Sequence, residues 1–396
     1  MVQKTNFPIL VLKPEREKSI INRHPWIFSG AVATLPEVDN GAVIEVQDSK
    51  KRILGYGFFD PQSQIVCRLF EIGKDPIAPS YAYWSAKIES AYLLRQKYIL
   101  NTTTNAFRLL HAEGDMLPGI IADVYGEVVV LQLLIRGTEL LADTFVRILA
   151  DKGFRYIYLK AKDTSKTLEG LQTQAGWLTA PYPRELIASE NGLLFPIDVE
   201  KGQKTGFFLD QRENRAMIKQ YARSKTVLNA FSYTGGFSVY ALAGGAALVH
   251  SVDISKDAIA ICKKAVEMNL SNQNQHEAYS EDCFEFLKNS KEQYDIVVLD
   301  PPAFAKNKKA VANASRGYIS LNELGLKRVK SGGLLFTFSC SGNIDRELFR
   351  KIIFTACAET RRNVRILHQL SQPIDHPINI YHPEGEYLKG LVLYVE

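Results

Sequence analysis

No two of the five cysteines, Cys67, Cys262, Cys283, Cys340 and Cys357, stand in a CxxC spacing. That absence speaks against a zinc site or redox dithiol, and without an even, closely spaced framework there is no disulfide scaffold. A reducing compartment and no bound metal are expected. Long hydrophobic runs are also missing. The longest, such as residues 128–135, are too short to cross a bilayer, and the amino terminus has no apolar signal-peptide core. The expectation is a cytoplasmic protein. Charge of one sign shows only a small excess, net +5 with a pI near 8.7, compatible with a polyanionic partner but too weak to demand one. Neither an internal repeat nor a low-complexity tract is present. The GxGxxG cradle for a pyrophosphate is absent as well, which argues against a nicotinamide-dependent oxidoreductase.

What is there is enough chain for large cores: 396 residues, 46% hydrophobic, predicting two or three domains. Residues 1–75 show short strand-like runs at 41–47, 53–59 and 65–70 with turn punctuation between them, the pattern of a small β-barrel. Residues 73–76 suit a linker. A middle α+β segment, 76–190, follows, with helical spacing at 81–100 and 140–152 and strand-like runs at 119–124, 127–135 and 156–161. His111, Glu113 and Asp115 fall in its loop, where capping acids in a turn explain them. A hairpin is expected over 185–199, turned by Asn191-Gly192. From 191 to 396 strands and helices alternate. Strands are predicted at 225–230, 247–253, 275–280, 294–300 and 333–339, helices at 237–243, 256–270, 283–289 and 319–330, and a last strand at the carboxyl end. Such alternation gives a mostly parallel, doubly wound α/β sheet of Rossmann-like type.

In such sheets ligands sit at the carboxyl ends of the strands. The first strand-to-helix turn runs Asn229-Ala230-Phe231-Ser232-Tyr233-Thr234-Gly235-Gly236, and its paired glycines let a ligand approach the backbone. Asp253 ends the next strand, 18 residues beyond Gly235, a spacing at which an acid binds both hydroxyls of a ribose. Without a diphosphate cradle, S-adenosylmethionine is the nucleoside cofactor that fits. Asp282 is placed to accept from an adenine amino group, or to cap the helix that follows, or both. Cys283 beside it suits packing. Before the first strand, Asp210, Gln211 and Arg212 are candidates to border the methionine end. The cofactor set is therefore Gln211, Arg212, Asn229, Phe231, Tyr233, Gly235, Asp253, Ile254, Asp282, Cys283 and Asp300.

Two strand ends carry reactive groups. One finishes in Asp300-Pro301-Pro302, the other in Ser339-Cys340-Ser341-Gly342. A thiol can add to C6 of a pyrimidine, making C5 a nucleophile, while a carboxyl group relieves charge at the ring nitrogen. Cys340 and Asp300 are the catalytic candidates for that C5 chemistry, and the bland alternative for Cys340 is one more small buried residue. Right after Asp300, residues 301–330 hold seven basic side chains, Lys306, Lys308 and Arg316 among them, against one acid, Glu323. They suit phosphates near an extruded base, or a solvated loop.

Together, Lys204-Thr205-Gly206-Phe207-Phe208-Leu209-Asp210-Gln211-Arg212-Glu213-Asn214-Arg215, the Asn229 to Gly236 turn, Val252-Asp253-Ile254-Ser255, Leu299-Asp300-Pro301-Pro302-Ala303-Phe304 and Ser339-Cys340-Ser341 occur in the order of the RlmI-type ribosomal RNA methyltransferases, which the chain resembles over nearly its whole length. Arg23-His24-Pro25-Trp26-Ile27-Phe28-Ser29-Gly30 resembles the start of a PUA domain, an RNA-binding barrel. The resemblance implies a PUA barrel, a middle domain and a class I methyltransferase domain acting on a cytosine C5 of 23S ribosomal RNA. Lys13 and Arg23 join Lys306, Lys308 and Arg316 as candidate RNA contacts. A homodimer stays open. Two rivals remain: a guanine N7 methyltransferase on a similar scaffold, which has no use for a thiol, and a non-catalytic RNA-binding or assembly protein, against which both cofactor-side acids and Cys340 argue.

Overall fold

The computed structural model describes residues 7–161, 171–271, 273–305 and 307–396. These divide into two compact units, Met1–Ala188 with Ile197–Phe207 and Ile374–Gly385, and Ser189–Pro196 with Phe208–Pro373 and Glu386–Glu396.

The first unit opens with a six-stranded sheet in the order Trp26–Phe28, Ile65–Ile72, Ile53–Phe59, Val43–Gln47, Ile9–Leu12, Val32–Thr34. Strand alternation sends Leu10, Leu12, Ile44 and Val46 into one core with Val66 and Leu69. A five-stranded sheet follows, Ala106–His111, Ile120–Tyr125, Val128–Leu133, Tyr156–Leu159 and Gly176–Trp177, covered by the helices Tyr81–Tyr98 and Ala142–Asp151. Tyr56, Phe58 and Phe70 of the first sheet lie in the same core as Trp84, Ile88 and Phe107, and the Phe58 and Trp84 rings stack at 5.8 Å. The segment expected as a linker thus joins two parts fused by one core. In the loop after His111, Asp115 accepts two bonds from the buried Arg95, at 2.6 and 2.8 Å. That acid is structural.

The 185–199 hairpin forms as Ile187–Glu190 and Leu193–Pro196. Asn191 and Gly192 both take positive φ, 52° and 80°, as a type I′ turn requires.

The second unit is built on seven strands, β1 (Thr226–Ala230), β2 (Leu248–Asp253), β3 (His276–Ser280), β4 (Tyr294–Leu299), β5 (Val329–Ser339), β6 (Val364–Leu370) and β7 (Lys389–Val395). Their order is 3-2-1-4-5-7-6, all parallel except β7, which runs antiparallel between β5 and β6. Chain order reverses between β1 and β4, so the crevice for a ligand opens at the carboxyl ends of those two strands. The sheet buries Val227, Leu228, Val297, Val298, Leu335 and Phe336, near-continuous apolar runs because both faces are covered. Two boundaries differ from the sequence expectation. The helix expected at 319–330 spans Val311–Arg328, extended by the good helix formers Ala312 and Ala314 beyond the cap that Asn307 gives Ala310 N–H. Lys330 belongs to β5 instead, where its Nζ meets Asp295 at 3.1 Å.

Among the described residues no helix is long and apolar enough to cross a membrane. No cluster of three or more His, Cys, Asp or Glu side chains able to hold a metal occurs among them.

Candidate active site

The turn after β1 is strained, and its amides are held by neighbouring groups: Ser232 N–H donates to Val252 O at 2.9 Å and Gly235 N–H to Ser232 O at 2.9 Å. Phe231, Tyr233 and Gly235 all have positive φ, 59°, 47° and 82°, and the first two have no glycine's freedom to do so. Gly235 cannot carry a side chain, since a Cβ there would lie 2.4 Å from Cys262 Sγ. Asp253 at the end of β2 fixes the turn by accepting the Tyr233 N–H at 2.8 Å through Oδ2, while its Oδ1 accepts the Ser255 N–H at 2.9 Å. Next to it, Ile254 projects with 71% of its surface exposed, an uncovered apolar face beside a carboxylate. Asn229, on β1, donates to Ser238 Oγ at 2.8 Å, and that hydroxyl meets Ser251 Oγ at 2.7 Å.

Three buried oxygens here have no partner: Asn229 Oδ1, Ser232 Oγ and Thr234 Oγ1. Buried polar atoms left unpaired are costly, and one at the end of β1 with two in the turn after it mark a place where a polar ligand completes the bonding. The turn, with its acid and its exposed isoleucine, fits a nucleoside-bearing cofactor on these grounds.

Asp282 caps the helix Cys283–Asn289, accepting from Phe284 and Glu285 N–H at 2.9 and 3.1 Å. The Cys283 sulfur is engaged on both sides, 3.1 Å from the Phe231 N–H and 3.4 Å from Val252 O, and burial pushes its thiol up to about 12. Gln211 is buried and accepts from Asn214 Nδ2 at 2.6 Å. Arg212 is equally buried, with Glu213 3.5 Å away. Asp210 accepts the Tyr387 hydroxyl at 2.8 Å. The neighbouring Arg215 forms a two-pronged buried pair with Glu190, at 2.9 and 2.7 Å, and its Nη1 donates to Phe208 O at 2.8 Å. Sequence reading passed over that pair because its partners lie 25 residues apart.

The second cluster lies at the ends of β4 and β5. These strands run in register, Leu299 opposite Thr337, so Asp300-Pro301-Pro302 and Ser339-Cys340-Ser341 emerge at one edge. Cys340 is half-buried, with Sγ 3.9 Å from Pro301 O. Its two flanking serines are pinned. Ser339 Oγ donates to the Tyr318 hydroxyl at 3.1 Å, and that hydroxyl lies 3.1 Å from Ser341 Oγ. Ser341 also takes the Ala305 N–H on Oγ at 3.3 Å and a Lys389 Nζ–H on its carbonyl at 2.7 Å. The other thiols are ordinary packing groups: burial drives Cys67 strongly up, Cys262 to about 12 and Cys357 to about 11.

Lys389 and Tyr318 were missed from the sequence. For Lys389 a signal existed: a lysine opening the otherwise apolar run Gly390-Leu391-Val392-Leu393.

The basic candidates are spread out. Lys308 and Arg316 are exposed, the latter bonded to Asn313, and Lys306 lies outside the described residues. Lys13 donates to Gly30 O at 3.0 Å, and the Arg23 guanidinium sits 5.6 Å from the Tyr381 ring centre.

Comparison with known proteins gives two domain matches: residues 10–71 to a PUA-like domain and residues 164–377 to the S-adenosylmethionine-dependent methyltransferases. Ribosomal RNA large subunit methyltransferase I of Alteromonas mediterranea is 39% identical over 391 residues, covering 97% of this chain and 98% of its own. The protein of that name from Shewanella amazonensis is 40% identical over 388 residues, with 96% and 98% covered. In solved structures, a chain described as a methyltransferase complexed with SAH superposes with a TM-score of 0.85 at 25% identity, covering 98% of this chain and all (100%) of that one. A methyltransferase from Streptococcus mutans gives 0.84 at 25% identity, with the same coverage, 98% and 100%.

Proposed function

Since the chain belongs to the S-adenosylmethionine-dependent methyltransferase family, alongside the ribosomal RNA large subunit methyltransferase I proteins, we propose that it methylates C5 of a cytosine in 23S ribosomal RNA through a covalent Cys340 adduct. The observation that carries this reading is the placement of Cys340: a thiol held by two pinned serines at the strand edge it shares with Asp300.

Cytosine C5 belongs to an electron-poor ring and is a weak nucleophile. Addition of the Cys340 thiolate to C6 opens the C5–C6 double bond and makes C5 an enamine carbon. Asp300 relieves the charge that develops at N3, by hydrogen bond or proton. When bound, S-adenosylmethionine supplies the electrophilic methyl group. Asp253, the Tyr233 to Gly235 backbone and Asn229 hold its nucleoside part, with Ile254, Phe231 and Asp282 beside the ring and Gln211 and Arg212 toward the methionine end. Loss of the C5 proton and expulsion of the Cys340 thiolate then restore the aromatic ring. A base stacked in a duplex is out of reach of such an edge, so the target is extruded or single-stranded. In the same reading residues 1–75, with Lys13 and Arg23, capture RNA, residues 76–190 form the middle domain, residues 191–396 carry the chemistry, and Lys306, Lys308 and Arg316 approach the phosphates near the target.

The test is Cys340→Ala with methyl transfer to 23S ribosomal RNA measured by mass mapping. Loss of nearly all transfer with cofactor binding intact is expected, together with a denaturation-resistant complex between wild type and RNA carrying 5-fluorocytosine. Wild-type turnover by Cys340→Ala, or a methyl group on guanine N7, overturns the reading.

A further inference from the structure

The strand β7 begins where its parallel neighbours end, because it alone runs antiparallel, and its register sets Lys389 directly opposite Ser339. Lys389 is only 3% exposed. Its Nζ donates to two carbonyls, Ser341 O at 2.7 Å and Tyr387 O at 2.6 Å. An ammonium has three protons to give, and the third has no acceptor among the described residues. Nor does Lys389 pair with a carboxylate there. The two acids that act on it are engaged elsewhere, Glu386 with Arg346 and Asp345 with the Leu348 N–H at 2.8 Å. A buried cation without an anion is costly. The anion the site can furnish is the thiolate of the residue bonded to Ser341.

Resting on the reading of Cys340 as nucleophile, we propose that Lys389 is the positioning cation that keeps the Cys340 sulfur ionised and fixes the peptide that carries it. The thiol proton leaves to water, Lys389 keeps its three protons, and the resulting ammonium and thiolate neutralise each other at the edge where the pyrimidine enters. Tyr318, whose hydroxyl bonds the serines on either side of Cys340, is a neutral phenol, its ionisation pushed up by burial. Arg346, paired with Glu386, is a further positive charge acting on Lys389. The electrostatics agree: burial draws the Lys389 ammonium down to about 8, and the Cys340 charge is the largest influence acting the other way. A lysine in that state is still mostly protonated at neutral pH, and a nearby cation is what lowers a cysteine below its ordinary range.

The experiment is the pH dependence of Cys340 alkylation by iodoacetamide, followed by peptide mass spectrometry in wild type, Lys389→Met and Lys389→Arg. Wild type is expected to titrate below the ordinary thiol value of about 8.5. Lys389→Met should raise that midpoint by a pH unit or more, slowing alkylation at pH 7 about tenfold, and Lys389→Arg should restore most of the rate. Calorimetric S-adenosylmethionine binding reports whether each variant is folded. If Lys389→Met does not fold, the wild-type midpoint decides: a value at or above about 8.5 overturns the proposal. An unchanged midpoint in folded Lys389→Met, with Cys340→Ala inactive, overturns the role of Lys389 and leaves the nucleophile standing. Full activity of Cys340→Ala overturns the nucleophile itself.

Discussion

Tyr233 gives its backbone N–H to Oδ2 of Asp253 at 2.8 Å while standing at φ 47°, a left-handed position that a tyrosine holds only when its surroundings impose it. One carboxylate therefore does two things, shaping the turn after β1 and presenting acceptors at the end of β2.

Asp253→Ala removes both. S-adenosylmethionine affinity is expected to fall by about 1 to 3 kcal/mol, the range for leaving polar partners unpaired. Asp253→Asn keeps an acceptor for the Tyr233 N–H and should lose less. Calorimetry with S-adenosylmethionine, and with NAD as the control ligand, checks both statements. Tight NAD binding without S-adenosylmethionine binding contradicts them.

A second expectation concerns acid. His276 bonds Ser251 Oγ at 2.8 Å, and burial, helped by the charges of Lys263 and His250, draws its imidazole down to about 4. Above an unfolded value of about 6.5 the ring is neutral in both states and contributes no pH dependence. Below it the unfolded chain takes up a proton that the folded chain refuses, so stability falls as pH drops from 6.5 toward 4. The loss approaches roughly 2 to 3 kcal/mol at the lower end. His276→Gln should flatten that part of the slope, read as the difference in urea midpoints between pH 7 and pH 4.5 for wild type and variant. An identical slope in both proteins shows that His276 is not the group responsible. His111 in the first unit, also held well below its usual range by burial, should behave in the same sense.

The alternating pattern of the second unit was legible because β1, β2, β4 and the end of β5 are apolar runs closing in turn, acid or serine residues, and the endings of β2, β4 and β5 are also where Asp253, Asp300 and Cys340 stand. Less legible was what depends on strand direction and on distant pairing. Nothing local says that the last strand runs antiparallel, and a parallel one would carry Lys389 to the opposite edge of the sheet, away from Cys340. The helix Arg346–Thr360 went unread, although Asp345 caps it by accepting the Leu348 N–H, since its Phe, Ile and Thr residues blur the helical signal. The edge strand β6 exposes Arg365, Ile366 and Leu367 in succession and so lacks the alternation that announces a strand. Glu190 and Arg215 meet only through the fold.

Tyr318 supplies the last prediction. Its hydroxyl lies 3.1 Å from both Ser339 Oγ and Ser341 Oγ, so one phenol ties down the residues on either side of Cys340 from the helix Val311–Arg328. Tyr318→Phe keeps the ring packed against Phe304, at a centroid distance of 4.5 Å, and removes only the tie. Two buried serines then lose a partner, at a stability cost of about 1 to 2 kcal/mol. The larger effect should be on turnover. A nucleophile displaced by even a fraction of an ångström loses its alignment with C6, and misplacement of about 1 Å can cost on the order of a hundredfold. The expected result is kcat lowered by roughly ten- to a hundredfold, with KM for RNA and the affinity for S-adenosylmethionine little changed. Stopped-time methyl-transfer assays across RNA concentration separate the two constants. A variant that loses a degree or two of thermal stability yet keeps wild-type kcat would mean that the serine bracket is structural and that Cys340 is oriented by its own strand alone.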